Sequence, residues 1–514
     1  MFGTAWSLLP PLVAIILALI TKEVYSSLFI GILLGACLAT SFHPIAALES
    51  TLNDGFFAAL SDTWNIGIIM FLVLLGAFVA LLNKSGGSHA YGEWAKKRIH
   101  SKRGALASTF VLSLLLGIDD YFHCLTVGSV MLPVNDGHHI SRARFAYQID
   151  ATAAPLCMIF PISSWAAAVS GMVEGYNGME LFVKAIPYNF YSLLTLLMIL
   201  YLIMTGLEYG PMKKHEMNAL KGDLYTTPER PYASDGADEN TVNERARVSD
   251  LVLPIVILFV CCVCFLIYTG GFFSGENGFI GAFANSDASV GLAMGSLVAL
   301  IIVVFYYLIR RVVTFREAME CIPAGFKAMV PAILILIFAL TLKNMTGLLG
   351  STEFVTGFVS SNIDKFGFVL PVVLFALAVF ISFSTGTSWG TFGILIPIAV
   401  SLGSVLDEKM LLICVSACLA GSVCGDHCSP ISDTTIMASA GAKCYHINHV
   451  STQLPYALTV AAVSAVTYLI AGLTESIVSL PIGVVLMIAT LIVIGKVTGF
   501  KKDDSVLNPL TDEE

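Results

Sequence analysis

Charged residues are scarce in this sequence. Only 12% of its 514 residues are Asp, Glu, Lys or Arg, whereas 56% are hydrophobic and the mean hydropathy is +0.83. This shortage excludes an ordinary soluble domain, in which about a quarter of the residues are charged. Apolar runs long enough to cross a bilayer as helices recur along the chain, so we predict an all-α, polytopic membrane protein.

Other features are also missing. No Gly-rich loop ends in Lys followed by Ser or Thr, which excludes the phosphate site of an ATP-driven pump. The net charge is −9 and no basic arm is present, so we expect the lipid bilayer and not nucleic acid as a partner. The first apolar run has no basic segment before it and no cleavage site after it, which predicts a retained helix.

Basic residues are absent from two loops, Glu174 to Leu181 and Gly270 to Ser289. They concentrate instead in residues 96–103, 208–250 and 310–316 and near the C terminus, and the positive-inside rule places such segments in the cytoplasm. We therefore expect about 11 to 13 crossings of the cytoplasmic (inner) membrane, with the linker and C terminus on the cytoplasmic side.

The loop charges also predict a re-entrant segment. An even number of crossings must separate the basic residues around Arg103 from those around Lys213, but three apolar stretches lie between them. The conflict disappears if Ala105 to Val134 enters and leaves on the cytoplasmic side, broken around Gly117 to Asp120. Irregular backbone at membrane depth must be buried in protein or line a cavity, so this segment is a candidate site.

A hydrophilic stretch divides the chain. It is rich in charge, Asn, Pro and Gly, and a flexible cytoplasmic linker is a better interpretation than a regulatory domain. The predicted organisation is a first membrane half (1–207), the linker (208–250), a second membrane half (251–497) and a cytoplasmic tail (498–514).

The two halves contain similar segments. Leu125 to Val134 (LTVGSVMLPV) matches Trp389 to Val400 (WGTFGILIPIAV), and Phe160 to Trp165 matches Ser429 to Thr434. Paired segments interrupted by Gly or Pro point to the binding site of a repeat-built secondary transporter, because broken helices expose helix ends in mid-membrane. The alternative is that each Gly or Pro only kinks an ordinary helix, which explains one segment better than four.

Acids inside apolar segments are the first candidate site residues, because unpaired charges in lipid are costly. Asp119 and Asp120 are adjacent at the first predicted break, with His123 one turn on, and neighbouring carboxylates repel unless they share a cation or proton. The alternative is a membrane-edge loop with solvated carboxylates. The other acids expected to line the interior are Asp150, Asp426 and Asp433.

Hydroxyl groups and two tryptophans complete the candidate site. Trp165 and Trp389 accompany the polar segments and suit an organic substrate, unless they belong to the interfacial aromatic belts. Hard hydroxyl oxygens suit Na⁺. The candidate hydroxyls are Ser163, Ser164, Ser384, Thr385, Thr387, Ser388, Ser429, Ser432, Thr434 and Thr435. A zinc site at Cys424, His427 and Cys428 is a weaker alternative because of the cysteine spacing.

Three long motifs stand out in the apolar segments: GIDDYFHCLTVGSVMLPV (Gly117 to Val134), STGTSWGTFGILIP (Ser384 to Pro397) and GDHCSPISDTT (Gly425 to Thr435). These motifs resemble the NhaC family of secondary transporters. The resemblance implies two inverted repeats with broken helices and re-entrant hairpins, usually in a homodimer. It also implies that Ser432 to Thr435 lie in the second hairpin and Ser384 to Trp389 in the facing broken helix.

The motifs and the resemblance together predict a secondary active transporter, not an enzyme, driven by a Na⁺ or H⁺ gradient without a further cofactor. The leading interpretation is Na⁺/H⁺ antiport or Na⁺-coupled exchange, with Na⁺ at Asp119, Asp120 and Asp433. The alternative is Na⁺- or H⁺-coupled transport of an amino acid or small carboxylate. A channel is less favoured, because two repeats within one chain are typical of carriers.

Overall fold

The computed structural model describes residues 2–21, 24–173, 176–229, 245–351, 353–354, 367–430 and 432–499. Within these residues the chain is helical and forms no strand. Seven of the described helical segments, one of them made of two consecutive helices, are long and apolar enough to cross a membrane: Thr63–Ser85, Phe190–Leu220, Ser249–Thr269, Ser289–Arg310, Glu408–Cys428, His446–Thr474 and Ser479–Val497. The all-α, polytopic membrane fold is confirmed, while the number of crossings stays a prediction.

The first half contains short and medium helices. They are α1 (Leu9–Thr21), α2 (Val24–Ala39), α3 (Pro44–Ser50), α4 (Ala58–Ser61), α5 (Thr63–Ser85), α6 (Gly87–Arg98), α7 (Lys102–Leu115), α8 (Asp120–Gly137), α9 (Arg142–Cys157), α10 (Ser164–Met172), α11 (Gly178–Ala185), α12 (Phe190–Thr205) and α13 (Gly210–Leu220). A π-helix, Thr51–Phe57, separates α3 from α4.

The second half contains longer helices. They are α14 (Ser249–Thr269), α15 (Phe279–Ala284), α16 (Ala288–Arg310), α17 (Phe315–Leu348), α18 (Leu370–Thr385), α19 (Ser388–Ser401), α20 (Glu408–Cys428), α21 (Asp433–Gly441), α22 (His446–Thr474) and α23 (Ser479–Val497). Short 3-10 turns occur at Ala5–Leu8, Ile186–Tyr188, Gly367–Val369 and Leu402–Ser404.

The helices expose apolar side chains and bury polar ones. Phe305 on α16 and Val485 on α23 are 61% and 65% exposed, whereas Arg144 and Asp150 on α9 are fully buried. Exposed apolar side chains are unfavourable in water but not in contact with lipid chains. Polar groups cannot form hydrogen bonds with lipid chains and are therefore paired inside the protein. The surface is that of a protein embedded in a bilayer.

Helices α5 and α17 pack antiparallel, and their backbones are in direct contact where the helices cross. A Cβ on Gly76 would lie 2.4 Å from the carbonyl oxygen of Gly325, so only glycine fits at this crossing. Eight residues along α5, Lys84 pairs with Glu317 on α17 over 3.3 Å. Small residues allow such close approach in membranes, where packing replaces the hydrophobic effect between helices.

The segment from α7 to α8 forms the predicted hairpin. At its base, Lys102 Nζ donates to the carbonyl of His139 over 2.9 Å. Deeper in, Asn135 Nδ2 donates to Thr109 Oγ1 over 3.2 Å. The turn at residues 116–119 forms the tip in the protein interior. The predicted break around Gly117 to Asp120 is therefore confirmed.

Helices α9 and α10 form a broken helix beside this hairpin. α9 is held alongside α7, because Gln148 Nε2 donates to the carbonyl of Leu106 over 2.7 Å. The break at residues 158–163 meets the hairpin tip, where the amide of Ser164 donates to the carbonyl of Ile118 over 3.0 Å. The hairpin tip and the break therefore share one place in the interior.

The second half repeats this order. α18 and α19 form a hairpin whose tip contains Gly386 in the left-handed conformation, with φ of 69°. α20 and α21 form a broken helix interrupted at residues 429–432. α18 runs parallel to α20, since a Cβ on Gly425 would lie 2.3 Å from the carbonyl oxygen of Val379. Each half thus contains a hairpin followed by a broken helix.

The two repeats are inverted. Arg142, directly after the first hairpin, donates to the carbonyl of Ala442 over 3.0 Å, close to the beginning of α22. The base of the second hairpin lies at the other end of α22, where a Cβ on Gly472 would be 2.0 Å from the carbonyl oxygen of Phe368. The hairpins enter from opposite ends of α22, and the predicted inverted repeats are confirmed.

The matching segments occupy equivalent places. Leu125 to Val134 lies in α8 and its counterpart in α19, and the second pair of matches spans the two breaks. One assignment is wrong: Ser432 to Thr435 lie in the broken helix, and Ser384 to Trp389 lie in the second hairpin. The left-handed Gly386 reverses the chain direction, whereas α21 continues in the direction of α20.

The beginning of the predicted linker is ordered. It contains α13, in which the buried Glu216 pairs with Lys102 over 2.8 Å. Glu208, also buried, accepts a hydrogen bond from Arg144 Nε over 2.8 Å. This part of the stretch packs against the first half instead of joining the halves loosely. Residues 230–244 lie outside the described residues, and the four-part division of the chain stays a prediction.

Candidate functional site

Four helices begin near the middle of the protein. α8 begins at Asp120, α10 at Ser164, α19 at Ser388 and α21 at Asp433, each at a hairpin tip or at a break. A helix N-terminus presents unpaired amides and the positive end of the helix dipole. The middle of the protein therefore favours negatively charged groups, whether carboxylate side chains or an anionic ligand.

Several candidate hydroxyls orient these helices. Ser163, Thr387 and Ser432 accept first-turn amides of α10, α19 and α21 at 3.0, 3.3 and 3.2 Å. Ser388 Oγ donates to the carbonyl of Ser422 on α20 over 3.2 Å. Such caps stabilise a helix start by about 1 kcal/mol each. A further role of these hydroxyls in ion binding stays a prediction.

Some candidate side chains cannot be placed. The side chains of Ser384, Thr385 and Asp433 lie outside the described part of the structure, although their backbones belong to α18 and α21. Ser164 and Ser429 are fully buried at the two breaks. Their contact with a solute or ion stays a prediction.

Asp119 and Asp120 are fully buried at the tip of the first hairpin. The amide of His123 donates to the Asp119 carbonyl over 3.0 Å, which places the imidazole one turn into α8. His123 Nε2 lies 3.0 Å from Thr152 Oγ1 on α9. The burial of both acids contradicts the alternative of a solvated loop at the membrane edge.

Two more carboxylates meet the first turn of α21. Thr434 Oγ1 donates to Asp426 Oδ2 over 2.6 Å, and Thr435 Oγ1 donates to Asp150 Oδ2 over 3.0 Å. Both acids are fully buried. Consecutive hydroxyls thus hold one carboxylate from α20 and one from α9, immediately after Asp433.

Asp150 has two further partners on α22. Gln453 Nε2 donates to Asp150 Oδ2 over 2.6 Å, and His449 Nε2 lies 3.2 Å from the same atom. The sequence predicts an interior position for Asp150 without a specific role, and the prediction includes neither His449 nor Gln453. Their signal is the spacing of His446, His449 and Gln453, which puts polar groups on one face of an otherwise apolar helix.

These acids and their partners are called the acidic cluster. It consists of Asp119, Asp120, His123, Asp150, Asp426, Thr434, Thr435, His449 and Gln453. α8 and α21 carry the two sides of it and touch closely, because a Cβ on Gly128 would lie 2.5 Å from the Cα of Gly441. The first hairpin and the second broken helix therefore carry most of this cluster, and α9 and α22 add Asp150, His449 and Gln453.

Trp165, Trp389 and Phe392 form an aromatic cluster. The indole rings lie 5.9 Å apart at 64°, and Phe392 lies 5.1 and 5.5 Å from them. Trp165 is 0% and Trp389 2% exposed, so neither belongs to an interfacial belt. The first broken helix and the second hairpin build this cluster together.

Both indole N–H groups of the aromatic cluster are buried without a hydrogen-bond acceptor among the described residues. A buried donor left unpaired is destabilising by about 1–3 kcal/mol, and native proteins contain few of them. Two such donors on touching rings, Trp165 and Trp389, identify a place where a bound molecule can supply acceptors.

A cavity of about 370 Å³ lies beside the aromatic cluster. Its lining includes Met172, two turns after Trp165 on α10, and Gly393, one turn after Trp389 on α19. Most of the lining is apolar, with Lys343 of α17 as its cationic side chain among the described residues. The volume is within the range of small-molecule sites.

The weaker zinc alternative gains no support from the contacts. His427 Nδ1 lies 3.1 Å from the hydroxyl of Tyr191, and both side chains are buried. No three His, Cys, Asp or Glu side chains of the described residues gather into a metal-binding group.

The chain is similar to known membrane transporters. Residues 156–473 match the profile of the Na⁺/H⁺ antiporter family. An uncharacterized protein of Haemophilus influenzae is 38% identical over 490 residues, covering 92% of each chain. The malate-2H(+)/Na(+)-lactate antiporter of Bacillus subtilis is 29% identical over 171 residues, 32% of this chain and 34% of that protein. The crystal structure of the Alcanivorax borkumensis YdaH transporter superposes with a TM-score of 0.51 at 12% identity, covering 81% of this chain and 87% of that one.

Proposed function

Because the chain belongs to the Na⁺/H⁺ antiporter family and is a secondary transporter, we propose that it uses a Na⁺ gradient to move a small organic carboxylate, such as a hydroxy acid or an amino acid. In this proposal Na⁺ binds beside Asp119, Asp120 and Asp433, and the solute binds at the aromatic cluster. No organic cofactor and no enzymatic step take part. The protein works as a homodimer in the inner membrane, with its linker and C terminus in the cytoplasm.

The observation that carries this proposal is the pair of unpaired indole N–H groups on Trp165 and Trp389. A bare cation cannot accept a hydrogen bond, whereas a carboxylate can accept two at once. The N-termini of α10 and α19, on which the two tryptophans lie, add partial positive charge. An organic carboxylate supplies both the acceptors and the negative charge that this place favours.

Charge balance supports joint binding of a cation and an anion. A buried carboxylate group without a counter-ion is costly in a membrane protein. Na⁺ prefers hard oxygen ligands, and Asp119 and Asp120 supply them at the tip of the first hairpin. Bound Na⁺ lowers the net negative charge of the interior, and a solute carboxylate then enters at a smaller electrostatic cost than it would without the cation.

A second candidate function is Na⁺/H⁺ antiport without an organic solute. The concentration of buried carboxylates in the acidic cluster favours it, as does the name of the matching family. The name of the Bacillus subtilis relative joins H⁺, Na⁺ and two organic carboxylates in one protein. It therefore supports both candidates, and a binding experiment must decide between them.

The experiment is thermal stability of the purified protein against Na⁺, K⁺, amino acids and small hydroxy and dicarboxylic acids, singly and in pairs. A ligand at 100 times its dissociation constant stabilises the folded protein by about 2.7 kcal/mol. Stabilisation by one carboxylate that requires Na⁺ supports the proposal. A response to Na⁺ or pH that no organic solute enhances would leave only the antiport candidate.

A further inference from the structure

Asp150 lies in a polar site made by four helices. On α22, Gln453 and His449 contact its Oδ2 atom at 2.6 and 3.2 Å, and on α21 Thr435 does so at 3.0 Å. The same Gln453 Nε2 also donates to the carbonyl of His427 on α20 over 2.8 Å. All of these side chains are buried.

The site contains atoms that are ready to take a proton. Asp150 Oδ1 and His449 Nδ1 have no hydrogen-bond partner among the described residues. If His449 donates from Nε2 to Asp150, its Nδ1 carries a free lone pair. The carboxylate and neutral imidazole then hold one negative charge together, which one proton on Nδ1 cancels.

The groups that face Asp150 come from several helices. His449 approaches from α22, and His427 of α20 interacts with it electrostatically. Tyr191 of α12 contacts His427, and His123 of α8 faces α9 through Thr152. On α9 itself, Arg144 is engaged by Glu208 over 2.8 Å. Asp426 reaches the same turn of α21 from α20.

One helix turn connects this site to the proposed Na⁺ site. Thr435 binds Asp150, Thr434 binds Asp426, and Asp433 directly precedes them in α21. A positive charge on His449 strengthens its own hydrogen bond to Asp150 Oδ2 and so changes the strength of the hydrogen bond that Thr435 donates to the same atom. The first turn of α21 therefore senses whether a proton is bound.

From this geometry we propose that Asp150 and His449 form a proton-binding site, and that the transporter couples proton movement to Na⁺ through the first turn of α21. When the site is open to one side of the membrane, a proton from solvent forms an N–H bond at His449 Nδ1. When the site is open to the other side, this N–H bond breaks and the proton returns to solvent. No electron transfer is involved. The inference rests on the proposed Na⁺ coupling of transport.

The test uses the full chain in proteoliposomes with radioactive sodium ion as the probe. Two fluxes are measured: exchange of Na⁺ for Na⁺ at equal pH, and Na⁺ movement driven by an imposed pH gradient with the voltage clamped. Asp150→Asn should lower the pH-driven flux by about tenfold or more, as expected for loss of a coupling free energy. It should retain Na⁺/Na⁺ exchange and remove the pH dependence of that exchange.

Three further variants make the result decisive. Asp150→Glu keeps a carboxylate and should restore part of the pH-driven flux. His449→Gln removes the Nδ1 atom that takes the proton and should lower the pH-driven flux as far as Asp150→Asn does. Asp407→Asn is the matched control, because Asp407 is an exposed N-cap that accepts the Met410 amide and Asn caps equally well. It should leave both fluxes unchanged.

Two results would overturn the inference. One is a pH-driven flux in Asp150→Asn equal to wild type; the other is equal loss of both fluxes in a variant that melts at the wild-type temperature. If Asp150→Asn does not fold, a wild-type pH-driven flux in His449→Gln overturns it. A wild-type protein without any Na⁺ flux contradicts the proposed function itself, which is a different outcome.

Discussion

The two hairpins have the same shape and opposite chemistry. The tip of the first carries Asp119, Asp120 and His123, whereas the described side chains at the tip of the second are hydroxyls followed by Trp389. The broken helices reverse this pattern, with Asp426 at the second break and Trp165 at the first. Since each hairpin contacts the broken helix of the other repeat as well as that of its own, acids meet acids and aromatics meet aromatics.

In the proposed function, the inverted repeat becomes a two-ligand site. A symmetric backbone provides two equivalent places at which helix N-termini meet. Different side chains then make one place acidic, and suited to a cation, and the other aromatic, and suited to an organic anion. If the division is real, variants in one cluster must change one ligand and leave the other unchanged.

The largest expected effect comes from the acidic cluster. Asp120→Asn removes a buried charge from the proposed cation site. Loss of one partner of a buried ion pair costs about 3–5 kcal/mol, so we expect the apparent Na⁺ affinity to fall by about a hundredfold or more. Na⁺ titration of thermal stability and of Na⁺ flux measures it. Asp62→Asn is the control, because Asp62 caps the exposed start of α5. Unchanged Na⁺ affinity in Asp120→Asn would contradict the proposed Na⁺ site at the tip of the first hairpin.

The aromatic cluster should give the complementary result. Trp165→Phe and Trp389→Phe keep a ring and delete the indole N–H, and a hydrogen bond to a charged group is worth about 1.5–3 kcal/mol. We expect about tenfold or greater loss of affinity for the organic carboxylate, with Na⁺ stabilisation unchanged. Equal loss of both ligands in these variants would show that the clusters are not separate sites.

A packing variant tests whether the acidic cluster depends on the contact between α8 and α21. Gly128→Ala introduces a Cβ 2.5 Å from the Cα of Gly441, and overpacking of this kind destabilises by about 1–3 kcal/mol. Thermal unfolding measures the change. Gly137→Ala, in the same helix with open space around it, should be close to neutral. A stable Gly128→Ala protein would mean that the helices separate freely at this point.

The smallest effect is expected far from both clusters. Lys184 bridges Glu180 and Glu408 at 2.8 and 2.6 Å, and these hydrogen bonds raise the pKa of Lys184. All three side chains are partly exposed, so Lys184→Ala should lower stability by less than about 1 kcal/mol. Ligand titrations should be identical to wild type. A loss of Na⁺ or solute affinity in this variant would show that ligand binding at the clusters depends on the contact between α11 and α20.

The sequence predicts much of this arrangement because hairpin tips and breaks require Gly, Pro and small polar residues. The match between residues 125–134 and 389–400 located the second arms of both hairpins, and the other match located both breaks. Whether the chain reverses or continues after a break depends on backbone angles such as that of Gly386, which composition does not reveal. The assignment that the family resemblance implies therefore exchanges the hairpin and the broken helix of the second half.

The sequence reveals less about which residues meet. Asp150 and Gln453 are 303 residues apart along the chain and form a hydrogen bond, and no local pattern predicts that pairing. The adjacency of the two tryptophans was equally hidden, although each was identified singly. His449 and Gln453 were accessible from their spacing on α22, since polar residues at helical intervals in an apolar run require buried partners.

Helix α22 has a mechanical consequence. Its 29 residues correspond to a length of about 43 Å. This length equals the thickness of a bilayer that includes the headgroups. The partners of Asp150 lie near one end of the helix and the base of the second hairpin touches the other. Pro455, just beyond Gln453, removes one backbone hydrogen bond and makes a joint there. We expect a tilt at that joint to displace the end of α22 at the opposite membrane face, so the helix acts as a lever. Substituting Pro455 should stiffen α22 and slow transport turnover without changing ligand affinity.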